Sequence, residues 1–170
     1  MNEQKRPQRV SRPIRVAVCG SSTPDPDELR EAEAAGAAIA EAGAVLVCGG
    51  LGGVMAAACR GATDAGGQAL GVLPGIDPAA ANPWVTVPLA TGMGEARNAL
   101  VVSFADAVVA VGGAWGTLSE VALARAMDKP VVLVRPGLTT GLPLPAVVTG
   151  PEAVSLALSR CAASLASPTD

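Results

Sequence analysis

Two segments of this chain share one pattern, in which a short apolar run is followed by a glycine-rich turn and a helical stretch. The two predicted strands are Val45–Cys48 and Ala107–Val111, and helices are expected over residues 54–65 and 118–127. Both runs are continuously apolar rather than alternating. This pattern is typical of parallel strands buried on both faces of a sheet.

The same alternation continues along the rest of the chain. Further apolar runs occur at residues 14–19, 69–73, 85–89 and 130–134, helical stretches at 27–42, 94–104 and 152–165, and a loop rich in Pro and Gly at 135–149. This order predicts an α/β fold with a Rossmann-like, doubly wound, mainly parallel sheet of six or so strands and helices on both faces. We expect one Rossmann-like domain over residues 14–165, after a disordered basic tail at residues 1–13.

Charge and composition exclude several classes of protein. Residues 1–15 carry a net charge of +4, so residues 16–170 carry −7, which disfavours nucleic acid as a partner. The chain lacks the roughly 18 apolar residues of a membrane span, and its N-terminus does not resemble a secretory signal. The four cysteines show no Cys-x-x-Cys spacing and histidine is absent, so we expect no metal site and a cytoplasmic location.

The candidate binding site lies where the predicted strands end. Glycine-bearing turns follow Cys19, Cys48 and Val111, and the carboxyl ends of parallel strands share one edge of the sheet. Such turns let backbone N–H groups meet an anion at a helix N-terminus, so two of them predict a small phosphorylated ligand. The candidate residues are Gly20, Ser21, Ser22, Gly49, Gly50, Gly52, Gly53, Met55, Gly112, Gly113, Ala114, Trp115, Gly116 and Thr117.

The segments at residues 49–55 and 112–120 resemble the Lonely Guy (LOG), or lysine decarboxylase-like, family, and the similarity covers about residues 14–135. The resemblance implies a phosphoribohydrolase that cleaves cytokinin nucleoside 5′-monophosphates into a free base and ribose 5-phosphate. It also implies a homodimer or higher homo-oligomer, with no cofactor required.

The second family motif reads Pro-Gly-Gly-x-Gly-Thr-x-x-Glu. Gly112 stands in place of its proline and Ala114 in place of its second glycine, whereas the remaining motif positions match at Gly113, Gly116, Thr117 and Glu120.

The family's upstream Met-x-x-Arg-Lys pattern places its arginine at Arg97, although the spacing from Met93 is one residue longer and Asn98 replaces the lysine. These departures resemble a neighbouring branch that includes the molybdenum cofactor carrier proteins.

Glu120 and Arg97 are the candidate catalytic residues. A carboxylate at Glu120 would stabilise positive charge at the ribose C1′ or form a covalent intermediate. The alternative is a carboxylate that only complements the helix dipole. Arg97 would clamp a phosphate or hold Glu120 ionised, and its alternative is a surface ion pair with Glu95 or Asp106.

For other side chains near the turns, a purely structural role is an alternative to a role in ligand binding. Trp115 either stacks on a base or pterin or packs under a lid. Met55 and Met93 are most simply core or pocket-wall residues. Cys19 and Cys48 are expected to be buried structural thiols, because no base lies nearby in sequence. The hydroxyls of Ser21 and Ser22 either contact the ligand or cap the next helix, a role that Asp25 or Asp27 would also fill.

Two functions follow from these residues. The leading hypothesis is hydrolysis of a nucleoside 5′-monophosphate, favoured by Arg97 and Glu120. The alternative is a non-catalytic carrier for a phosphorylated ligand such as molybdenum cofactor, favoured by Gly112, Ala114 and Asn98. Amino-acid decarboxylation is disfavoured, because it requires pyridoxal phosphate on a lysine and the body of the chain offers only Lys129.

Overall fold

A computed structural model describes residues 12–166, in which seven strands form one sheet. The strands are β1 (Arg15–Gly20), β2 (Val45–Cys48), β3 (Ala69–Leu73), β4 (Val87–Ala90), β5 (Ala107–Val111), β6 (Val131–Val134) and β7 (Ala146–Val147). Residues 1–11, which make up most of the predicted basic tail, lie outside the described residues.

Every strand pair in this sheet is parallel, and the strand order is β4-β3-β2-β1-β5-β6-β7. The direction of winding reverses between β1 and β5, so these two central strands flank the topological switch point. Gly20 at the end of β1 is in register with Val111 at the end of β5. In open α/β sheets, ligands bind in the crevice that opens at this point.

Five α-helices cover both faces of the sheet, as the sequence predicts. They are α1 (Pro26–Glu41), α2 (Val54–Asp64), α3 (Asn98–Phe104), α4 (Trp115–Ala126) and α5 (Gly150–Ala166). One apolar core packs α1, α2 and α5 against one face, and a second packs α3 and α4 against the other. The expected doubly wound α/β fold is confirmed.

Several boundaries differ from the prediction, and three of these differences have local physical reasons. Helix α4 begins at Trp115, three residues early, because the glycine turn is only long enough to reach Ala114. The expected helix over 94–104 opens as a 3₁₀ turn at Gly94–Arg97 before α3 begins. Strand β7 lies inside the predicted loop, since its two residues are too short a run to show periodicity.

Helices α1 and α2 contact each other through their backbones. A Cβ placed on Gly36 would lie 1.9 Å from the carbonyl oxygen of Ala58, and one on Gly61 would lie 1.9 Å from that of Glu33. Only glycine fits at these two crossings. The close contact fixes the position of α2, and therefore of the glycine turn that precedes it.

The start of the described chain is attached to the domain by charge. Arg12 makes two hydrogen bonds of 2.7 Å to the carboxylate of Asp106, and the backbone N–H of Arg15 donates a third at 2.8 Å. Burial opposes ionisation of this carboxylate, but these bonds lower the pKa of Asp106 to about 2. Among residues 12–166, no helix combines the length and apolarity that crossing a bilayer requires.

Candidate functional site

The structure brings the three glycine-bearing turns together at the switch point. A Cβ on Gly20 would lie 2.4 Å from the carbonyl oxygen of Val111 and 2.6 Å from Cγ1 of Val54. The N–H of Val54 donates to the carbonyl of Ser21 at 3.0 Å. The first turn therefore touches the end of β5 on one side and the start of α2 on the other.

The helix N-termini at this edge differ in how they are capped. The side chain of Asp25 caps α1 by accepting from the N–H of Glu28, and the Glu28 side chain accepts from Asp25 in return. Neither α2, which follows Gly53, nor α4, which follows Ala114, has a side-chain cap. The N–H of Val54 is taken by the carbonyl of Ser21, but no side chain caps α2 or α4, and helix N-termini without caps are places where anions bind.

The serines of the first turn do not cap the helix that follows. Asp25, not Ser21 or Ser22, caps the helix that follows. The Ser21 hydroxyl accepts a hydrogen bond of 3.0 Å from the N–H of Thr23, and the Ser22 side chain is exposed.

Arg97 is buried in the centre of the site, with only 5% of its surface exposed. Its guanidinium lies against Gly49, because a Cβ built on that glycine would be 2.6 Å from Nη2. Nη1 donates to the side-chain oxygen of Asn98, and Nε is buried without a partner. The interpretation of Arg97 as a surface ion pair is wrong, since it is buried and Asp106 bonds to Arg12 and Arg15 instead.

A chain of hydrogen bonds connects Arg97 to the N-terminus of α4. Asn98 accepts from Arg97 and donates through Nδ2 to the hydroxyl of Ser119 at 3.4 Å. Ser119 donates in turn to the carbonyl of Gly116 at 2.7 Å. Sequence reasoning missed this role, because Asn98 stood out only as a departure from a lysine.

Glu120 is the buried carboxyl group of the site. It lies in the second turn of α4, is 7% exposed, and borders Cys19. The interpretation that it only complements the helix dipole is wrong, because the first turn contains no acidic residue. Burial raises the pKa of Glu120 to about 7, although the charge of Arg97 and a hydrogen bond with Cys19 both lower it.

The glycine turn before α4 explains why the LOG motif's proline is absent. Gly112 has a φ of 58°, which proline cannot adopt because its ring holds φ near about −65°. A Cβ on Gly112 would also lie 1.8 Å from Oε1 of Glu28. Gly113 has a φ of 114° and packs against Thr117.

The remaining candidates divide between the site and the surface. Thr117 is 2% exposed, whereas the side chain of Trp115 is 76% exposed beside the same free N–H groups. Met55 borders the site, because its Sδ would be 2.8 Å from a Cβ on Gly49. Met93 is 47% exposed, so the prediction that it is a core residue is wrong. The alternative, that it lines the wall of the pocket, stays a prediction.

Not every glycine of the first turn offers its N–H to a ligand. The N–H of Gly50 donates to Sγ of Cys48 at 3.3 Å, and its carbonyl accepts from Asn82 at 2.9 Å. Gly52 is exposed, with open space where a side chain would lie. Cys19 and Cys48 are buried as expected, and Cys59 and Cys161 are buried as well. Within residues 12–166, no group of three or more His, Cys, Asp and Glu side chains is arranged to hold a metal ion.

Relatives of known sequence and structure share this architecture. An uncharacterized protein of Archaeoglobus fulgidus is 40% identical over 123 residues, which cover 72% of this chain and 81% of that protein. The molybdenum cofactor binding protein from Rippkaea orientalis superposes with a TM-score of 0.84 at 34% identity, over 88% of this chain and 98% of that chain.

The molybdenum cofactor carrier protein from Chlamydomonas reinhardtii is similar as well. It superposes with a TM-score of 0.79 at 33% identity, over 89% of this chain and 99% of that chain. The sequence model of the SLOG cluster4 family matches residues 13–155. The chain therefore belongs to the SLOG cluster4 family, within the LOG-related branch that the motifs predicted.

Proposed function

We propose that this protein binds and carries a small phosphorylated ligand of the molybdenum cofactor class at the switch point of its sheet. The observation that carries the proposal is the buried guanidinium of Arg97, whose Nε lacks a partner, beside two helix N-termini without side-chain caps. The similarity to two proteins that bind or carry molybdenum cofactor supports this ligand class.

The charge at the site favours an anionic ligand. A buried cation costs free energy unless it is paired, and the ion pairs of residues 12–166 do not include Arg97. A phosphate would neutralise the guanidinium and accept hydrogen bonds from the N–H groups of α2 and α4. Thr117, which is buried at the start of α4, supplies a further hydroxyl donor.

The raised pKa of Glu120 reduces the fraction of the protein that could cleave a glycosidic bond through an ionised carboxylate. A carboxyl group that stabilises a cation at C1′, or attacks it, must be ionised. With its pKa raised to about 7, Glu120 is about half protonated at neutral pH. The positive charge of Arg97 does not offset the burial of Glu120 in this site.

A second candidate function is the phosphoribohydrolase activity that the LOG resemblance implies. The observation in its favour is that Arg97 and Glu120, the two candidate catalytic residues, are both buried and interact electrostatically. Under this alternative, phosphate binding would bring C1′ of a nucleoside 5′-monophosphate near Glu120. The two functions therefore share one anion site and differ in whether a bond is broken.

The experiment compares binding and turnover in the same protein. Purified protein is mixed with molybdenum cofactor under anoxic conditions, and separately with a panel of nucleoside 5′-monophosphates. We expect cofactor binding without release of free base. Arg97→Gln should abolish binding, whereas Arg125→Gln removes an equal charge from the exposed face of α4 and should leave it intact.

Base release by the wild type that is lost in Glu120→Gln would instead establish the hydrolase. Failure of the cofactor to bind, with no nucleotide turned over, would refute both candidates. The resemblance also predicts a homodimer or higher oligomer, which light scattering on the purified protein would test. The cytoplasmic location remains a prediction from the cysteine pattern.

A further inference from the structure

Two of the four cysteines form a buried pair next to the glycine turn at residues 49–53. Cys48 ends β2, and Cys59 lies in the second turn of α2. Both side chains are fully buried, and their Sγ atoms are 3.4 Å apart, so one thiol donates a hydrogen bond to the other. Cys19 contacts the carbonyl of Val109 and the side chain of Glu120, and Cys161 contacts the carbonyl of Asp106.

Polar donors surround this pair. The N–H of Gly50 donates to Sγ of Cys48 at 3.3 Å, and Nδ2 of Asn82 donates to Sγ of Cys59 at 3.8 Å. The same Asn82 amide donates to the carbonyl of Leu51 at 2.9 Å, which holds it over the thiols. Hydrogen bonds from N–H groups stabilise the negative charge of a thiolate. A purely apolar packing role would need none of these donors.

The two thiols also differ from each other. The hydrogen bond from Cys48 lowers the pKa of Cys59, and the bond from Asn82 lowers it further against the effect of burial. The pKa of Cys48 is raised by its hydrogen bond to Cys59 and by burial.

We propose that Cys48 and Cys59 are a redox-active dithiol that closes reversibly to an intramolecular disulfide on oxidation by hydrogen peroxide. The sulfur of Cys59 attacks one peroxide oxygen, the O–O bond breaks, and one water leaves with the thiol proton, so that Cys59 becomes a sulfenic acid. The sulfur of Cys48 then attacks that of Cys59. The S–O bond breaks as the S–S bond forms, and the hydroxyl leaves as a second water with the Cys48 proton.

Disulfide formation would change the glycine turn above the pair. An S–S bond is about 2.0 Å long, so the two sulfurs must approach each other from 3.4 Å. Because Sγ of Cys48 accepts from the N–H of Gly50, that hydrogen bond must weaken or move. The bond would also join the end of β2 covalently to α2. This inference does not depend on the proposed function, because it concerns the thiols and the turn rather than a ligand.

The test uses the full chain, treated with hydrogen peroxide, then denatured and alkylated. We expect two of the four cysteines to escape alkylation, a cross-linked peptide that contains Cys48 and Cys59, and full recovery of thiols with dithiothreitol. Cys161→Ala should still form the bond, whereas Cys59→Ala should form none. In NMR spectra the amide signal of Gly50 should shift on oxidation while that of Gly113 does not.

Several results would overturn the proposal. Alkylation of all four cysteines after peroxide treatment would show that the folded pair does not close. A disulfide that includes Cys19 or Cys161, or one that forms only in urea, would show that the native geometry does not select Cys48 and Cys59. An unchanged Gly50 amide in the oxidised protein would contradict the effect on the turn.

Discussion

The guanidinium of Arg97 occupies the space that a side chain at residue 49 would need, since a Cβ on Gly49 would lie 2.6 Å from Nη2 and 2.9 Å from Cζ. The glycine turn after β2 and the arginine before α3 are thus complementary. Glycine is needed at residue 49 because the guanidinium fills the space beside it. A larger residue at position 49 would therefore displace the guanidinium without removing Arg97.

Gly49→Ala should displace Arg97 and weaken anion binding. Gly49 is not among the glycines with positive φ, so alanine meets the side chains of Arg97 and Met55 rather than a forbidden backbone conformation. Losing one charge-assisted hydrogen bond costs roughly 1.5–3 kcal/mol, or about tenfold or more in affinity. Titration calorimetry with molybdenum cofactor, or with inorganic phosphate as a probe, measures this loss of affinity.

Gly52→Ala is the matched control for that experiment. It lies in the same turn, in open space and without a positive φ. We expect its affinity to remain within about twofold of the wild type, because no described atom is displaced. Equal losses in Gly49→Ala and Gly52→Ala would show that the turn, and not Arg97, accounts for binding.

Asn98 should act as a positioning residue for Arg97. Asn98→Ala removes the acceptor of Nη1 and the link to Ser119, so the guanidinium loses its fixed orientation. We expect anion affinity to fall about tenfold, the equivalent of one hydrogen bond to a charged group. Ser103→Ala on the exposed side of α3 should leave affinity unchanged. Partial rescue by Asn98→Gln, which keeps the amide, would separate positioning from a general loss of stability.

Stability should depend on pH through Glu120. Its pKa rises from 4.5 in the unfolded chain to about 7 in the folded protein. The folded state therefore holds an extra proton between these values, and stability falls as pH rises through this window. At roughly 1.4 kcal/mol for each pKa unit, the loss is on the order of 3 kcal/mol.

Urea unfolding at pH 5 and pH 7.5 measures this loss, with Glu120→Gln as the comparison. The variant should lose much less stability over the same interval, since its amide does not titrate. Asp106, whose pKa is lowered to about 2, has the opposite sign and contributes stability that is lost only below its unfolded pKa near 3.8. Parallel pH profiles for the wild type and the variant would contradict the assignment to Glu120.

Trp115 should distinguish ligands that carry an aromatic ring. Its side chain is 76% exposed at the first position of α4, next to the free N–H groups. Trp115→Ala should weaken binding of adenosine 5′-monophosphate by about two- to tenfold, the equivalent of one stacking contact. Binding of ribose 5-phosphate, which has no ring system to stack, should not change. If adenosine 5′-monophosphate and ribose 5-phosphate lost affinity equally, Trp115 would act by supporting the N-terminus of α4 and not by stacking on the base.

The sequence was most informative where the pattern is local. Strands β2, β3 and β5 have the predicted bounds, because each is a continuous apolar run ended by glycine or proline. Helix α4 starts at Trp115, three residues before the predicted start, because the glycine-rich turn that the sequence indicates ends at Ala114. The convergence of the three turns followed from the prediction that the strands are parallel, because their carboxyl ends then share one edge of the sheet.

Contacts between residues that are distant in the sequence could not be predicted from local sequence patterns. An arginine is rarely buried without an ion pair, so the position of Arg97 required the packing of the 3₁₀ turn against Gly49. The approach of Cys48 to Cys59 required the return of α2 over the end of β2. The carboxylate of Glu28 lies beside Gly112, which is 84 residues away in the sequence. A contact at this separation cannot be predicted from local sequence patterns.

The contact between Glu28 and Gly112 makes these two positions interdependent for protein engineering. Introducing the LOG motif's proline at residue 112 would require a different backbone conformation and would collide with a carboxylate that also belongs to the cap of α1. Changing Glu28 alone would loosen that cap while leaving the turn in its glycine-specific form. A hydrolase-type loop therefore cannot be transplanted into this chain one substitution at a time, because the loop and the first helix must be redesigned together.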